Sequence, residues 1–397
     1  MSASVLGNWE ARSPVPVARS GATAVTIEDT IYVIGGRNNQ NGVLSRVDVY
    51  YPLTDTWDEL KVPPLNSARS NAAAIVYNNH IYVLGGRDDD NVLNSAEVYN
   101  PSENEWEYVQ NLRNAREGAF VLNYKNRLHV FGGATESGNL VDDVEWYEPG
   151  EDEWYDADFE FDPPRVSAFS FVNADTVFIF GGFYFSPLKS SLKLSPDTLW
   201  YEGPSMNEAK GAGSTAVVGE NVYFIGGESN QSVTSQVERY NFITKNIVFD
   251  LNLTTARAGH ACTVHNGTIY VFGGYGENPA NILSSVEAYN PTISSIMHNK
   301  INQVPTRIEL FPNFPNPFNG ATQIRFALRY TEFVNLSVFD ASGRQVAEFL
   351  NKELAAGFYN ITWHGDSSFR NTSASSIYFV VLRTFNSLLV QKVIYLK

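Results

Sequence analysis

Six basic side chains recur along the chain at a constant distance from a pair of glycines. Each lies 16 positions before a Gly-Gly doublet, and the doublets start at residues 35, 85, 132, 181, 226 and 273. The six residues are Arg19, Arg69, Arg116, Arg165, Lys210 and Arg257. Arginine forks bind carboxylates bidentately. If the six converge on one opening, they predict a cationic site for an acidic sugar or an acidic peptide.

An alternative is that each basic residue forms an ion pair within its own repeat. Five repeats carry an acid two positions before a recurrent tyrosine: Asp48, Glu97, Glu145, Glu238 and Glu287. In the fourth repeat the equivalent position holds Leu192, whereas the basic residue, Arg165, is kept. We therefore predict that Arg165 is the best candidate for a free cation.

The elements that position these residues are short strands. Each doublet ends an apolar run such as "IYVIGG" (31–36), and a stretch of small residues follows each basic residue. A tyrosine follows most doublets after about 15 residues, and tryptophans come seven places later at Trp57, Trp106 and Trp154, with Trp200 similarly placed. Turn pairs such as Asn-Gly at 266–267 are typical of hairpins. Each repeat therefore predicts a four-stranded sheet.

A period near 50 residues with a glycine doublet is typical of kelch repeats, and residues 1–298 resemble a kelch β-propeller. The resemblance implies an all-β fold with six blades. Repeat four departs with Leu194 near the tyrosine position, and repeat six has Ile296 in place of the tryptophan. Trp9 lies ten residues before Arg19, so we expect the strand around Trp9 to complete the last blade. Alternatively, Trp9 is left over from a further blade upstream.

From residue 308 the repeat stops, and a segment with three prolines follows, "FPNFPNPFN" (311–319). Residues 308–397 resemble the type A C-terminal sorting domain of the type IX secretion system of Bacteroidota. The matching motifs include "VFDASGRQV" (338–346), "AAGFYNITW" (355–363) and "KVIYLK" (392–397). The departure is Ser375-Ser376, where the family usually has Ser-Gly. The alternating apolar pattern predicts a small Ig-like β-sandwich, joined to the repeats by a linker at 299–307.

The resemblance of the tail implies a secreted or outer-membrane surface protein that the type IX machinery handles through residues 308–397. The first twenty residues contain no apolar leader, so we expect the export signal to lie upstream. An alternative is an Ig-like module that only packs on the propeller.

Charge and composition narrow the choice of partners. The net charge is −15, and residues 1–307 carry 20 basic and 37 acidic side chains. Such an acidic surface repels nucleic acid and anionic membranes. No apolar stretch reaches the roughly 18 residues of a membrane span, and the single cysteine excludes an intrachain disulfide. We expect a monomer.

A second candidate binding feature is the loop after the fourth doublet, "FYFSPLKSS" (183–191). Phe183, Tyr184 and Phe185 are exposed on the rim if the loop follows the strand pattern, and rim aromatics are typical anchors for sugars or proteins. Alternatively, they cover the edge of a blade. The strand order places this loop and the six basic residues on one face.

Metal and enzyme hypotheses have less support. The acidic run at 148–164 alternates acids with Ala157, Phe159 and Phe161, which is typical of a charged edge strand rather than a calcium loop. Cys262 lies between His260 and His265, but a buried small thiol is the commoner arrangement. We predict no metal, no cofactor and no catalytic residues.

The chain is predicted to bind a glycan or a surface protein. The alternative is an enzyme similar to the six-bladed kelch proteins that interconvert sialic acid anomers.

Overall fold

The computed structural model describes residues 8–230, 232–291, 308–314, 316, 321–364, 376–385 and 387–395. The described residues form an all-β fold in two compact units, and the first unit spans residues 8–291. The predicted boundary at residue 298 and the predicted linker at 299–307 lie outside the described residues. In the described part of the chain, no helix has the length and apolar composition that a bilayer crossing requires.

The first unit contains 28 strands, most of them three to five residues long. In chain order they are β1 (Glu10–Arg12), β2 (Thr23–Ile27), β3 (Thr30–Ile34), β4 (Arg37–Asn38), β5 (Gly42–Val43), β6 (Val47–Tyr51), β7 (Thr56–Asp58), β8 (Ala73–Tyr77), β9 (His80–Leu84), β10 (Ala96–Asn100), β11 (Glu105–Val109), β12 (Phe120–Tyr124), β13 (Arg127–Phe131), β14 (Asp143–Glu148), β15 (Glu153–Glu160), β16 (Phe169–Asn173), β17 (Thr176–Phe180), β18 (Phe183–Tyr184), β19 (Ser186–Pro187), β20 (Ser191–Leu194), β21 (Trp200–Glu202), β22 (Ser214–Val218), β23 (Asn221–Ile225), β24 (Val237–Asn241), β25 (Ile247–Phe249), β26 (Ala261–His265), β27 (Thr268–Phe272) and β28 (Val286–Tyr289).

These strands form six four-stranded antiparallel sheets and two small hairpins, β4–β5 and β18–β19. We number the sheets 1 to 6 in chain order: β2-β3-β6-β7, β8-β9-β10-β11, β12-β13-β14-β15, β16-β17-β20-β21, β22-β23-β24-β25 and β26-β27-β28-β1. The fourth strand of sheet 6 is thus β1, which pairs Glu10 with Ala288. The first strands of consecutive sheets lie side by side, and β26 returns to β2. The arrangement is propeller-like.

The glycine doublets are explained by contacts between neighbouring sheets. A Cβ at Gly35 would lie 2.4 Å from the carbonyl oxygen of Arg69, in the next repeat. The backbone N–H of Gly36 donates to that same oxygen at 2.9 Å. Both glycines have positive φ, which other residues rarely adopt. The same bond occurs six times, and the last runs from Gly274 N–H to the Arg19 oxygen, so it links sheet 6 to sheet 1.

The core lies between the sheets, and the recurrent aromatics fill it. Trp106 packs on Tyr99 at 5.2 Å between ring centroids, and its indole N–H donates to the backbone oxygen of Pro63, in the loop that connects sheets 1 and 2. Trp9, Trp57, Trp154 and Trp200 make the corresponding bond to a backbone oxygen. Sheet 5 has Ile247 at this position, so among the described sheets its junction with sheet 4 lacks the indole bond.

The second unit contains β29 (Glu309–Phe314), β30 (Ala321–Leu328), β31 (Glu332–Asp340), β32 (Gln345–Leu354), β33 (Gly357–His364), β34 (Ser376–Arg383) and β35 (Leu388–Tyr395). They form one three-stranded sheet, β29-β30-β33, and one four-stranded sheet, β32-β31-β34-β35. Both sheets contribute to a single apolar cluster in which Trp363 packs on Tyr378 at 5.2 Å. Asn316, from the proline segment, donates to the Lys392 oxygen and accepts from Ile394 N–H.

Candidate functional site

The six recurrent basic side chains are buried. Their exposed fractions are 0 or 1%. They therefore do not form an exposed cationic opening, and the prediction of a ring of ligand-binding arginines is not what the structure has. The physical reason is found in each sheet separately.

Sheet 2 shows how a basic residue is held. Arg69 Nη2 lies 2.6 Å from Glu97 Oε1, and its Nη1 donates to the oxygens of Gly85 and Ser95. The Glu97 carboxylate also accepts the backbone N–H of residues 66 and 67. Guanidinium and carboxylate are thus both satisfied inside the sheet, so neither is available to a ligand. The same pairing occurs in Arg19–Asp48, Arg116–Glu145 and Arg257–Glu287.

Lys210 in sheet 5 is a variation. Its Nζ donates to the oxygens of Phe224 and Gln236, and among the described residues no carboxylate lies within ion-pair distance. Glu238 instead accepts three N–H groups from Asn207 and Glu208. Burial lowers the pKa of Lys210 to about 8, because desolvation penalises the charged ammonium more than the neutral amine.

Arg165 in sheet 4 lacks the acid partner, as its sequence position predicts. Leu192 is buried where the other sheets have the acid. Arg165 Nη1 donates to the oxygens of Gly181 and Ser190 at 3.0 and 3.1 Å, but its Nε has no partner within the described residues. Desolvation lowers its pKa to about 10. It is only 1% exposed, so it is a buried cation and not the accessible one that we predicted.

A proline before Arg165 is compatible with the missing acid. In sheets 2, 3, 5 and 6 the residue two places before the basic residue donates its N–H to the carboxylate. In sheet 4 that residue is Pro163, which has no N–H. A carboxylate there would lose one of its donors, and Leu192 needs none. The fourth repeat is therefore internally consistent although it departs from the others.

A closed ring of backbone hydrogen bonds surrounds the axis on the face where the basic residues begin each repeat. Its members lie two places after each basic residue, and each N–H donates to the oxygen of the preceding member at 2.7–2.9 Å. All six have φ between 52° and 63°. We call these residues the collar: Gly21, Asn71, Gly118, Ser167, Ala212 and Gly259. Below it lies a cavity of about 250 Å3, lined by first-strand residues of all six sheets.

The loops that follow the doublets surround the collar, and we call them rim loops. Bonds that connect rim loops of different sheets include Asn39 Nδ2 to Ala280 O, Val43 N to Asp89, and Val92 N to Glu136. Tyr275 donates to Glu228 at 2.7 Å and connects sheets 6 and 5. Among the described residues, 184–187 make no hydrogen bond to another rim loop. The rim loop of sheet 4 therefore stands apart.

That loop is the β18–β19 hairpin, and its aromatics have different environments. Phe183 is half-buried, with its ring 2.4 Å from the position that a Cβ on Gly211 would take. Tyr184 is 41% exposed and Phe185 is 96% exposed. Their rings meet edge to face at 4.8 Å. Phe185 has φ of 60°, which is rare for a bulky residue. Of the three predicted aromatics, two therefore face solvent.

Of the six positions directly after a doublet, sequence reasoning singled out one, Phe183. The backbone at each of these positions forms an isolated bridge to the residue after the basic residue, next to the collar. The ring of Tyr275, for example, lies 2.9 Å from a Cβ position on Gly259. The six types are Arg37, Arg87, Ala134, Phe183, Glu228 and Tyr275. The signal that could have found them is their variety at a constant place in a regular repeat.

The acidic run at 148–164 contains β15, whose side chains alternate between exposed acids and partly buried apolar residues from Asp156 to Glu160. Within the described ranges, no three His, Cys, Asp or Glu side chains are grouped as metal ligands would be.

Comparison with known proteins also finds a repeat in this part of the chain. A profile of the KLHDC2/KLHL20/DRC7 Kelch-repeats domain matches residues 4–182 and 113–274, and the Kelch motif profile matches 256–295. The chain belongs to the kelch-repeat family. Kelch-like protein 25 of Xenopus tropicalis is 27% identical over 225 residues, 54% of this chain and 38% of that protein. Kelch-like protein 40 of Mus musculus is 32% identical over 154 residues, 37% of this chain and 24% of that protein.

Alpha-scruin of Limulus polyphemus is 25% identical over 208 residues, 47% of this chain and 22% of that protein. The chain thus spans well under half the length of these kelch relatives. A solved structure titled "Structure of YjhT" superposes with a TM-score of 0.61 and 14% identity, covering 69% of this chain and 95% of that one. At that identity the likeness concerns the fold alone.

Proposed function

We propose that the kelch repeats form a closed six-bladed propeller that acts as a binding module for a protein partner, anchored by the hairpin at 183–187. The observation that carries the proposal is Phe185. Its side chain is 96% exposed, and its backbone adopts a conformation with φ of 60° that costs a non-glycine residue about 1–2 kcal/mol. Neither feature stabilises the free protein. Exposed aromatics paired at a loop tip are typical interface anchors.

A protein partner is favoured over a glycan because the cations that would attract an acidic sugar are buried and hydrogen-bonded. The remaining anchors are Tyr184, Phe185 and the residues around the collar. Burying a phenylalanine in a partner's pocket contributes about 2 kcal/mol or more, which corresponds to roughly 30-fold in affinity.

The test is a screen of the full chain against arrays of surface proteins and of glycans, with two variants. Phe185→Asn removes the anchor with a residue that tolerates the same backbone conformation. Leu60→Asn is the matched control, since Leu60 is 93% exposed on a different loop. We expect a protein ligand whose affinity falls about 30-fold in Phe185→Asn and is unchanged in Leu60→Asn. Equal binding by both variants would refute the anchor, and a glycan hit lost in Phe185→Asn would make the ligand a glycan.

The alternative of an enzyme similar to the sialic acid anomerases needs a cationic pocket and a base at the opening. The burial of all six recurrent basic residues weakens it. We expect no acceleration of anomer exchange when the chain is mixed with sialic acid and followed by NMR. Exchange that increases in proportion to protein concentration would replace the binding proposal.

We further propose that residues 308–397 form an Ig-like sandwich that exports the chain to the cell surface or the medium through type IX secretion. The sharing of one apolar core by two sheets and the anchoring of Asn316 to β35 support the sandwich. The motifs at 338–346, 355–363 and 392–397 support the export. A reporter with a periplasmic leader, fused to residues 308–397, should leave a Bacteroidota host that has the type IX machinery. It should remain periplasmic in a host that lacks the machinery. Retention in both hosts would contradict the proposal.

A further inference from the structure

One first-strand position breaks the pattern of the six repeats. Three residues after the basic residue, five repeats have alanine or glycine: Ala22, Ala72, Ala119, Ala168 and Gly213. The sixth has His260. Five of the six repeats thus have neither a ring nor a titratable group at this position, so the fold does not require an imidazole there.

His260 lies at the junction of sheets 5 and 6. Its Cε1 is 3.0 Å from the position that a Cβ on Gly226 of sheet 5 would take, and its Cβ is 2.9 Å from that on Gly274 of sheet 6. Ser214 of β22 donates to its backbone oxygen at 2.8 Å. The residue is 5% exposed, and neither ring nitrogen has a hydrogen-bond partner in the part of the chain that the structure describes.

The charged groups that face His260 are cations. Burial, with repulsion from Arg257 and then Lys210, lowers its pKa to about 3, and the Arg257 carbonyl opposes this shift without offsetting it. That carbonyl already accepts the Gly227 N–H. The acids of these two sheets, Glu287 and Glu238, are occupied by Arg257 and by the N–H groups of 207–208. Burial raises the pKa of the nearby Cys262 thiol, so it stays neutral.

A protonated imidazole in this place would be a buried cation beside two others, and the Arg257 carbonyl, which also accepts the Gly227 N–H, is the acceptor that faces its two N–H groups. Opening the junction relieves this, because water then solvates the ring. The same junction holds the strand that completes sheet 6. Trp9, next to β1, donates to Leu251 of sheet 5 at 2.8 Å and packs on Tyr289 at 5.1 Å.

We propose that the junction between sheets 5 and 6 is an acid-sensitive closure, in which protonation of His260 opens the contact that retains the N-terminal strand. While the closed state keeps the imidazole neutral and the open state titrates near 6.5, the opening constant rises tenfold for each pH unit below 6.5. Between pH 7 and pH 5 the rise is about 25-fold. Above pH 7 the opening constant no longer depends on the protonation of His260.

The test is native-state hydrogen exchange of the full chain by mass spectrometry at pH 7 and pH 5, corrected for intrinsic exchange rates. The readout is the opening constant of β1, β22 and β26 divided by that of β2 and β8. The second pair reports the junction of sheets 1 and 2, which has the ion pairs Arg19–Asp48 and Arg69–Glu97, Ala72 in place of the histidine, and no buried histidine among its described residues. Acid effects on the remaining carboxylates of sheets 5 and 6 are reported by the His260 variants.

The ratio should rise about 25-fold in the wild-type chain and stay constant in His260→Ala, which takes the residue of four other repeats. His260→Gln keeps a side chain of similar volume that does not titrate, and it should behave like His260→Ala. It controls for the cavity that His260→Ala leaves in the junction. A ratio that is constant in the wild type, or that rises equally in the variants, would overturn the proposal.

Discussion

The burial of the recurrent arginines makes a direct comparison possible within one chain, between Arg69→Met and Arg165→Met. Both side chains are at most 1% exposed and both donate Nη1 to two backbone oxygens. They differ in their other contacts. Arg69 forms an ion pair with Glu97 at 2.6 Å and also donates to Ser67 O and Ser95 Oγ, whereas Arg165 faces no carboxylate among the described residues. The difference between the two variants therefore reports the carboxylate together with these two weaker hydrogen bonds.

Removing Arg69 leaves the Glu97 carboxylate buried with only two backbone N–H donors. Breaking a buried pair from one side typically costs about 3–5 kcal/mol. Removing Arg165 also leaves two carbonyls without a donor, but it eliminates a desolvated charge. The pKa of Arg165 falls from 12.5 to about 10, which corresponds to a penalty on the order of 3 kcal/mol. We expect Arg165→Met to cost about 0–2 kcal/mol, at least about 1 kcal/mol less than Arg69→Met.

The assay is urea unfolding of the full chain followed by tryptophan fluorescence. Six of the seven tryptophans lie in the repeats, and only Trp363 lies in the second unit, so the signal reports the repeats. The double variant Arg69→Met/Glu97→Leu removes both charges and places at position 97 the leucine that sheet 4 has at position 192, and it should recover part of the loss. Recovery is incomplete because the N–H groups of residues 66 and 67 then lack an acceptor.

If Arg165→Met destabilises the chain as much as Arg69→Met, the carboxylate is not what makes the recurrent arginine stabilising. The carbonyl contacts shared by both residues would then account for the effect. A double variant no more stable than Arg69→Met alone would lead to the same conclusion.

Three further perturbations test other parts of the scaffold. The pKa of Lys210 in the folded state is about 8, below the ordinary 10.5. The cost of burying its charge is therefore full below pH 8 and declines as the pH rises. The free energy of unfolding should increase by about 1.5 kcal/mol between pH 8 and 9.5, and this increase should be absent in Lys210→Met. Ala212→Gly relieves a collar residue with φ of 52° and should stabilise the repeats by about 0.5–1 kcal/mol in urea unfolding, whereas Ala216→Gly in β22 should destabilise them. Trp106→Phe removes the indole bond to Pro63 and should cost about 1–2 kcal/mol; no loss in the melting curve would make that bond dispensable.

How far the fold follows from the sequence depends on repetition. The glycine doublets, the tyrosines and the tryptophans recur in several copies, so their constant spacing predicts strands, turns and four-stranded sheets. The structure has these elements. The doublet needs no side chain because a carbonyl of the next repeat occupies that space, as Arg69 does beside Gly35. Contacts between repeats recur with the same period as contacts within a repeat. The sequence pattern therefore indicates that glycine is required at the doublet, but it does not show which contact requires it.

The state of the candidate site could not be predicted in the same way. The spacing of Arg69 and Glu97 is equally compatible with an internal pair and with an exposed ring of cations. What decides between them is that the carboxylate also receives N–H groups from residues 66 and 67, and this depends on how a loop turns back in space. Only the fourth repeat contained a usable signal. Pro163 removes a donor where the acid is also missing, which indicates that the acid serves the loop as well as the arginine.

Sheet 4 departs from the shared contacts of the repeat, and its rim hairpin carries the exposed pair Tyr184 and Phe185. It has Leu192 in place of the acid, a buried arginine whose Nε has no partner among the described residues, and a rim hairpin whose residues 184–187 are not bonded to the other described rim loops. A rim loop that bonds to its neighbours, as that of Asp89 does, can change only if the neighbour changes with it. The hairpin at 183–187 can vary alone. Because a binding surface must fit its partner while the scaffold stays intact, the repeat whose rim hairpin is not bonded to the other described rim loops is the one best placed to carry recognition.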